Sequence, residues 1–420
     1  MPNEHLVLMF EIFSKTEIGS VYKNLKSKKQ ADRNKKMPIG VDGVSSEVFE
    51  KNLEFSLNEI YRKLLVKNGK IDYNFAPLLR IERTKIQGGI RALHVPRLRD
   101  QIVLRLIHNE ILRLSSERGI DLKVKSPYSF VSRFDTLVRD FPDAIILKTD
   151  ISKFYDSIPR TKAIELCQSL GMRSELFAFL SFWSESLRIR TGNFYIDSEF
   201  SDFTGLPQGL SISSLLAELY VRQIDQNYII HEGYFRYIDD IVIVCNDIDD
   251  ARDKLEQLKV SVGILGLKLS PNKTEILRIK DGMEWLGLLH FPGRRYIHPD
   301  KLIRAVRPIK FLQKECMQSI EHGQDLEERS GAVKRLIKQI DRYTTGQRKI
   351  RLKWYSLVED NGQWKLMDKY IHGLIYSCIR KAGAQADSFG LLPSIHAKIL
   401  SYKKIKESQN SPIKGNAPSV

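Results

Sequence analysis

The sequence predicts an α+β chain: helices and a hairpin first, then a region built on an antiparallel sheet, then a helical last third. Three observations carry this. Apolar residues recur at helical spacing after Ser45, in Phe49, Leu53, Ile60 and Leu64. Between residues 144 and 291 the apolar segments are short and strand-like, AIILKTD and YFRYIDDIVIVC being the clearest. Beyond residue 300 basic amphipathic segments follow one another.

The bulk properties bound the function. A chain of 420 residues with 42% hydrophobic content buries a substantial core in more than one compact unit. Lys and Arg number 67 against 51 Asp and Glu, a formal charge of +16. That balance suits a polyanionic partner, and equally a soluble basic protein. The cysteines, Cys167, Cys245, Cys316 and Cys378, form no CxxC pair, so neither a zinc site nor a disulfide framework is expected, and a reducing cytosol fits. The start, MPNEHLVLMFEIFSK, has no basic leader or small-residue cleavage site. No apolar run reaches the roughly eighteen residues that cross a bilayer. The expectation is a cytoplasmic protein with no membrane partner.

Element by element, residues 15 to 37 are rich in Lys, Arg, Ser and Asn and read as a basic segment, mobile, RNA-touching or simply solvated. Ser45 or Ser46 caps a helical pattern running to Leu65. IERTKIQGGIRALHVP gives two short strands hinged at Gly88-Gly89, and residues 100 to 116 an amphipathic helix. AIILKTD is a buried strand ending on an acid, with Pro159 opening the next helix. YFRYIDDIVIVC is a strand pair with two acids at its centre; Leu267 to Ile279 and Glu284 to Phe291 add short strands. AVRPIKFLQKECMQSI, GAVKRLIKQIDRY and DKYIHGLIYSCIRKA are successive helices, and the final Ser-, Asn-, Pro- and Gly-rich residues a disordered tail.

The acids suggest chemistry. Phosphoryl transfer needs carboxylates converging from different strands to hold two metal ions about 4 Å apart. Asp150 ends a strand, and Asp239-Asp240 lie in a hairpin turn about ninety residues on. By itself an Asp-Asp pair is also ordinary turn chemistry. Its setting between apolar strands favours a cation, because adjacent like charges repel there unless neutralised.

Taken together, these segments resemble the reverse transcriptases. LKTDISKFYDSIP is similar to their first catalytic motif, GLPQGLSISSLLAELY to the second and FRYIDDIVIV to the third. LKLSPNKTEIL resembles the motif with a lysine near the incoming nucleotide, and EWLGLLHF the primer grip. KIQGGIRALHVPRLRD resembles the fingers hairpin, and GVDGVSSEVFEKNL the extra N-terminal motif of bacterial and group II intron-type enzymes. The likeness runs in the expected order over residues 38 to 292. It implies a right-hand polymerase: a basic segment at 1–37, fingers at 38–143, an antiparallel palm at 144–292, a helical thumb and extension at 293–405 and a tail at 406–420.

Residue by residue, the resemblance implies that Asp150 and Asp239 ligate two Mg²⁺ ions with help from the Ile151 carbonyl, and that Asp240 supports the metal and primer end. It places Lys85, Arg91, Ser152, Phe154, Tyr155, Gln208 and Lys273 at the incoming dNTP. Lys85 and Arg91 would grasp the triphosphate, Tyr155 would exclude a ribose 2′-hydroxyl, and Lys273 would be the general acid for pyrophosphate. Phe154 also suits a core position, and Trp285 a core tryptophan. Tyr237, Gly209, Trp285 and Gly287 would contact primer and template. The third motif departs from the usual pattern in having Ile238 where Ala is more common, which bears on primer geometry; both carboxylates are intact.

The basic helices after residue 300 suit an A-form duplex. A compact basic chain without a Cys/His-rich appendage resembles the bacterial defence-associated reverse transcriptases that work with a structured non-coding RNA. That likeness implies an RNA template, dNTPs, a cDNA product and protection against phage. The alternatives are a retron-type or intron-type enzyme, a protein-primed or template-independent polymerase, and a non-catalytic RNA-binding or maturase protein on the same fold. Oligomeric state, primer and trigger stay open.

Overall fold

The structure is a computed structural model and describes residues 9–30, 39–84, 90–122, 126–191, 199–201, 203–228, 233–345, 358, 361–390 and 392–394. Lys85, the Gly88-Gly89 hinge, the basic stretch beyond residue 30 as far as Pro38, and the tail lie outside the described residues.

The chain opens with β1 (Met9–Phe10), α1 (Lys15–Gln30), α2 (Ser46–Lys51), α3 (Leu53–Leu64), β2 (Val66–Lys67), β3 (Lys70–Ile71), β4 (Leu78–Thr84) and β5 (Ile90–Val95). Next come α4 (Leu98–Glu117), α5 (Pro127–Asp140), β6 (Ile145–Asp150), α6 (Phe154–Ser157), α7 (Arg160–Ser169), α8 (Ser174–Ser186), β7 (Ile189–Thr191) and β8 (Glu199–Ser201). The central part holds α9 (Ser211–Gln226), β9 (Tyr234–Tyr237), β10 (Asp240–Cys245), α10 (Ile248–Ile264) and β11 (Glu275–Arg278). The last part is β12 (Met283–Trp285), β13 (Leu288–Phe291), β14 (Arg294–Ile297), α11 (Pro299–His322), α12 (Leu326–Thr345) and α13 (Asn361–Ala382). The architecture is α+β, as expected.

The chain divides into two compact units, residues 1–125, 147–243 and 248–276, and residues 126–146, 244–247 and 277–420. This differs from a three-part layout by position along the chain. The physical reason is α5: its Val131 shares a core with Leu288, Ile297, Ile309, Leu336 and Ile371, and its Phe134 ring meets Trp285 edge-on at 5.3 Å. A segment expected with the fingers thus belongs with the C-terminal helices.

One four-stranded sheet runs β11-β6-β10-β9 and a second one β5-β4-β7-β8. The expected hairpin pairs β4 with β5 antiparallel from Leu79↔Val95 to Thr84↔Ile90. Within Leu267 to Ile279 only β11 is a regular strand; residues 271–273 form a 3₁₀ turn, because Pro271 cannot donate to a ladder. The helical pattern from Ser45 breaks in two at Asn52, whose φ of −126° and ψ of 36° leave the helical region. Ser45 caps the first piece, accepting from the Val48 N–H at 3.3 Å.

Helix α1 covers part of the stretch that the sequence suggests is only a basic surface run. Ile18, Val21 and Tyr22, at i, i+3 and i+4, are buried, and the helix packs on α3 and α4. Each such burial is worth about 1.5–3 kcal/mol, enough to order a helix whose lysines stay in water.

In the second unit, β12-β13-β14 form an antiparallel meander and α11, α12 and α13 pack on one another. His290 Nδ1 meets Asp135 Oδ1 at 2.9 Å, and Arg295 Nη1 meets Asp135 Oδ2 at 2.6 Å, so the buried carboxylate is compensated twice. Cys316 and Cys378, distant in sequence, are buried in the same core, and all four cysteines are free. Among the described residues no helix is long and apolar enough to cross a membrane.

Ile18→Ala removes a fully buried side chain from α1 and is expected to cost about 2–5 kcal/mol. A urea midpoint equal to that of the parent chain would mean that α1 is not part of the first unit's core.

Candidate active site

Asp150 is the last residue of β6, and β6 pairs with β10, which begins at Asp240. The β9–β10 register sets Tyr237 opposite Asp240, leaving Ile238 and Asp239 as a two-residue turn. Apolar runs put these acids where they are: Ile145, Ile146 and Leu147 bury β6, and Ile241, Val242 and Ile243 bury β10, so the carboxylates emerge at the strand ends.

Backbone bonds hold the two ends together. The Ile151 N–H donates to the Asp239 carbonyl at 3.1 Å, and the Ser270 N–H to the Asp150 carbonyl at 2.7 Å. The Ser152 N–H donates to the Lys268 carbonyl at 2.8 Å, and Ile151 bridges Leu269. The segment before β11 is thereby fixed beside Asp150, and it carries Lys273, whose Nζ donates to Asp150 Oδ2 at 2.6 Å.

The acids feel one another. Burial, then the Asp150 charge, raises the Asp239 pKa; burial, then Asp239 and Asp150, pushes Asp240 up to about 6. Burial opposes the Lys273 charge, but the hydrogen bond to Asp150 and the charges of Asp150, Asp239 and Asp240 together outweigh it and hold its pKa above the usual value. Arg91, exposed on β5, acts electrostatically on both Asp239 and Tyr155. Among the described residues no three His, Cys, Asp or Glu side chains form a ready coordination shell. The donor chemistry nevertheless fits Mg²⁺, because it consists of hard carboxylate oxygens.

Tyr155 is half-buried beside the acids; burial, then Asp239, raises its pKa. Phe154 is buried, and its ring meets Tyr155 at 5.2 Å, backing that ring from the core. Ser152 is half-buried, with its carbonyl accepting from the Ser157 hydroxyl at 3.1 Å. Tyr237 is half-buried opposite Asp240. Gln208 is half-buried, its carbonyl accepting from the His94 N–H at 2.7 Å. Gly209 has φ +111°, and a Cβ there would lie 3.0 Å from the His94 carbonyl oxygen, so glycine is required where the loop meets β5.

Trp285 and Gly287 belong to the second unit. Trp285 is 2% exposed and packs on Phe134, so its side chain is a core residue. Leu286 (φ +47°) and Gly287 (φ +80°) form the tight turn joining β12 to β13.

Three residues that the sequence reading passes over shape the first unit's site. Arg160 is buried and donates to the carbonyls of Ser184, Phe203 and Gly205, at 2.7 Å (Nη2 to Ser184), 2.7 Å and 2.9 Å. With no carboxylate among these partners, burial lowers its pKa to about 10. Gly205 is the second: a Cβ there would fall 2.5 Å from the Asp156 carbonyl oxygen, a backbone contact that cannot rotate away. The Leu206 N–H then donates to the Tyr155 carbonyl at 2.8 Å. His94, the third, lies against the Phe203 ring, tilted 38° with centroids 5.3 Å apart, and is buried, which lowers its pKa. The one sequence signal for these was the glycine spacing in GLPQG.

Residues 85–290 match the family model for reverse transcriptase (RNA-dependent DNA polymerase). The chain carries a reverse transcriptase domain. Among curated relatives, the protein YkfC of Escherichia coli K12 is 24% identical, over 59% of this chain and 74% of its own. A 91 kDa protein in the cob intron of Schizosaccharomyces pombe is 28% identical over 49% of this chain, which spans only 24% of that protein. Among solved structures, telomerase of Candida albicans with a fragment of telomeric RNA aligns at a TM-score of 0.44 and 12% identity, over 91% of this chain and 74% of that one. The reverse transcriptase domain takes in Arg91, the Asp150 strand, the Gln208 loop, the Asp239-Asp240 turn and Lys273. RNA-directed DNA polymerisation is the activity of the family that residues 85–290 match.

Gly205→Ala is expected to lower the thermal midpoint clearly, the strain being on the order of 1–3 kcal/mol or more. Gly19→Ala, where a Cβ meets nothing within 4 Å, is expected to be neutral or stabilising by about 1 kcal/mol. Equal midpoints for the two variants would contradict the close approach at Asp156.

Proposed function

We propose that the reverse transcriptase domain extends a primer on an RNA template with dNTPs, using Asp150, Asp239 and Asp240 to hold two Mg²⁺ ions. The observation that carries this reading is the pairing of β6 with the β9–β10 turn, which sets three mutually repelling carboxylates at adjacent strand ends. Bound Mg²⁺ supplies a lowered pKa at the attacking primer hydroxyl and charge neutralisation at the leaving pyrophosphate. Asp150 and Asp239, with the Ile151 carbonyl, hold the ions; Asp240 supports the primer end.

The other residues bind and orient. Arg91, with Lys85, grips the triphosphate, a role supported by the charge that Arg91 exerts on Asp239. Tyr155, backed by Phe154, closes the space that a ribose 2′-hydroxyl would need. Ser152, Gln208 and Gly209 line the nucleotide and template, and Lys273 keeps a proton at Nζ for the departing pyrophosphate. Tyr237 borders the primer end. The Leu286–Gly287 turn offers its backbone to the primer, Trp285 serving as its buried anchor. The basic helices α11 to α13 grip the duplex as a thumb.

The finer reading is a bacterial cytoplasmic enzyme that copies a dedicated structured non-coding RNA into cDNA in antiphage defence. It rests on the resemblance to the defence-associated enzymes and on the net charge of +16.

The test is to express the chain with its native flanking DNA, sequence the RNA that co-purifies, and measure Mg²⁺-dependent dNTP incorporation. Asp239→Ala/Asp240→Ala is expected to lose incorporation by roughly 10³-fold while binding the same RNA at least as tightly, since two charges that repel phosphates are gone. Tyr155→Ala is expected to raise rNTP use relative to dNTP. Equal incorporation by parent and double variant would leave an RNA-binding scaffold as the better reading; a mixed RNA population would sink the dedicated partner.

A further inference from the structure

Arg236 lies on β9, two residues before the Ile238–Asp239 turn, with a side chain only 3% exposed. A buried guanidinium is costly unless its donors are paired. Nε donates to Asp225 Oδ1 at 2.8 Å; Nη2 donates to Asp225 Oδ2 at 2.5 Å and Glu218 Oε1 at 2.7 Å. Nη1 donates to Glu218 Oε2 at 3.0 Å and to the Ile238 carbonyl at 3.0 Å. Glu218 and Asp225 sit two turns apart on α9, and the Tyr234 hydroxyl steadies Asp225 Oδ1 at 2.9 Å.

Two carboxylates would satisfy the charge of Arg236 by themselves. The bond to Ile238 does something else, because Ile238 has φ +62°, in the left-handed region that a β-branched residue enters only under constraint. Its carbonyl is held by Arg236 on one side, and the next carbonyl, of Asp239, by the Ile151 N–H on the other.

We infer that Arg236 is a positioning residue for polymerisation: anchored on α9 by Glu218 and Asp225, it holds the Ile238 carbonyl and keeps the turn in the conformation that presents Asp239 and Asp240. The inference rests on the polymerase reading given above. Because α9 starts two residues after Gly209, the clamp also ties the catalytic turn to the helix that follows the nucleotide loop.

The test compares the parent chain with Arg236→Lys, Ile238→Gly and their combination. Lysine keeps the positive charge but cannot serve both carboxylates and the carbonyl from one nitrogen. Arg236→Lys is expected to lower kcat for dNTP incorporation roughly tenfold, with KM changed less than about twofold. Amide exchange is expected to quicken at Ile238 to Asp240 while Ile241 to Ile243 keep their protection. Adding Ile238→Gly is expected to restore most of the lost kcat, since glycine adopts the left-handed conformation without strain. A merely stabilising Arg236 would give the opposite pattern: protection lost throughout β9 and β10, and no rescue by glycine. That pattern, or a parental kcat in Arg236→Lys, overturns the inference. Should Arg236→Lys fail to fold, Glu218→Gln loosens the anchor more gently and is expected to show the same local exchange, unchanged exchange counting against the clamp. If the parent itself incorporates no nucleotide, the polymerase reading falls, while the exchange pattern still decides on the clamp.

Discussion

Carboxylates at neighbouring strand ends push one another apart, and the raised proton affinities of Asp239 and Asp240 register first their burial and then that repulsion. The hydrogen bond from the Ile151 N–H to the Asp239 carbonyl keeps them together. A main-chain bond does not weaken when a side chain gains or loses a proton, so the gathering of charge is independent of the charge itself. The remaining features extend this junction: Ser270 secures the Asp150 carbonyl, which delivers Lys273, and the β9–β10 register delivers Asp240.

The same economy recurs with arginine. Arg160 and Arg236 are both buried in the first unit and both reach main-chain carbonyls, those of Phe203 and Gly205 and that of Ile238. They differ in compensation. Arg236 has two carboxylates and keeps its charge firmly, whereas Arg160 relies on carbonyl and hydroxyl oxygens, and burial draws its pKa down. A guanidinium suits this work because five donors in a rigid fork can serve several acceptors at once.

What the sequence revealed and what it hid divide along physical lines. Asp150, Asp239 and Asp240 were legible because apolar runs of strand period flank them and because a two-residue hairpin turn fits between Tyr237 and Asp240. Lys85 lies outside the described residues, so its expected role has no geometry. Helix α1 was hidden because its lysines outnumber the three residues of its buried stripe. Arg160 and Arg236 were hidden because a charged residue in a local pattern reads as surface, and only the fold shows where its donors go. The grouping of α5 with the C-terminal helices was illegible for a related reason: contacts such as Phe134 on Trp285 join residues far apart in sequence. The glycine-rich GLPQG segment was noticed for Gly209, yet the tighter constraint falls on Gly205.

Arg160 grips the 203–205 loop only through main-chain oxygens, which every amino acid carries. The loop's shape is therefore insulated from the identity of most of its side chains. An exposed residue such as Thr204 is free to diversify, by drift or in a directed library, without moving Leu206 or the Tyr155 carbonyl it holds. Gly205 is the exception, and it marks the point in that loop where variation has to stop.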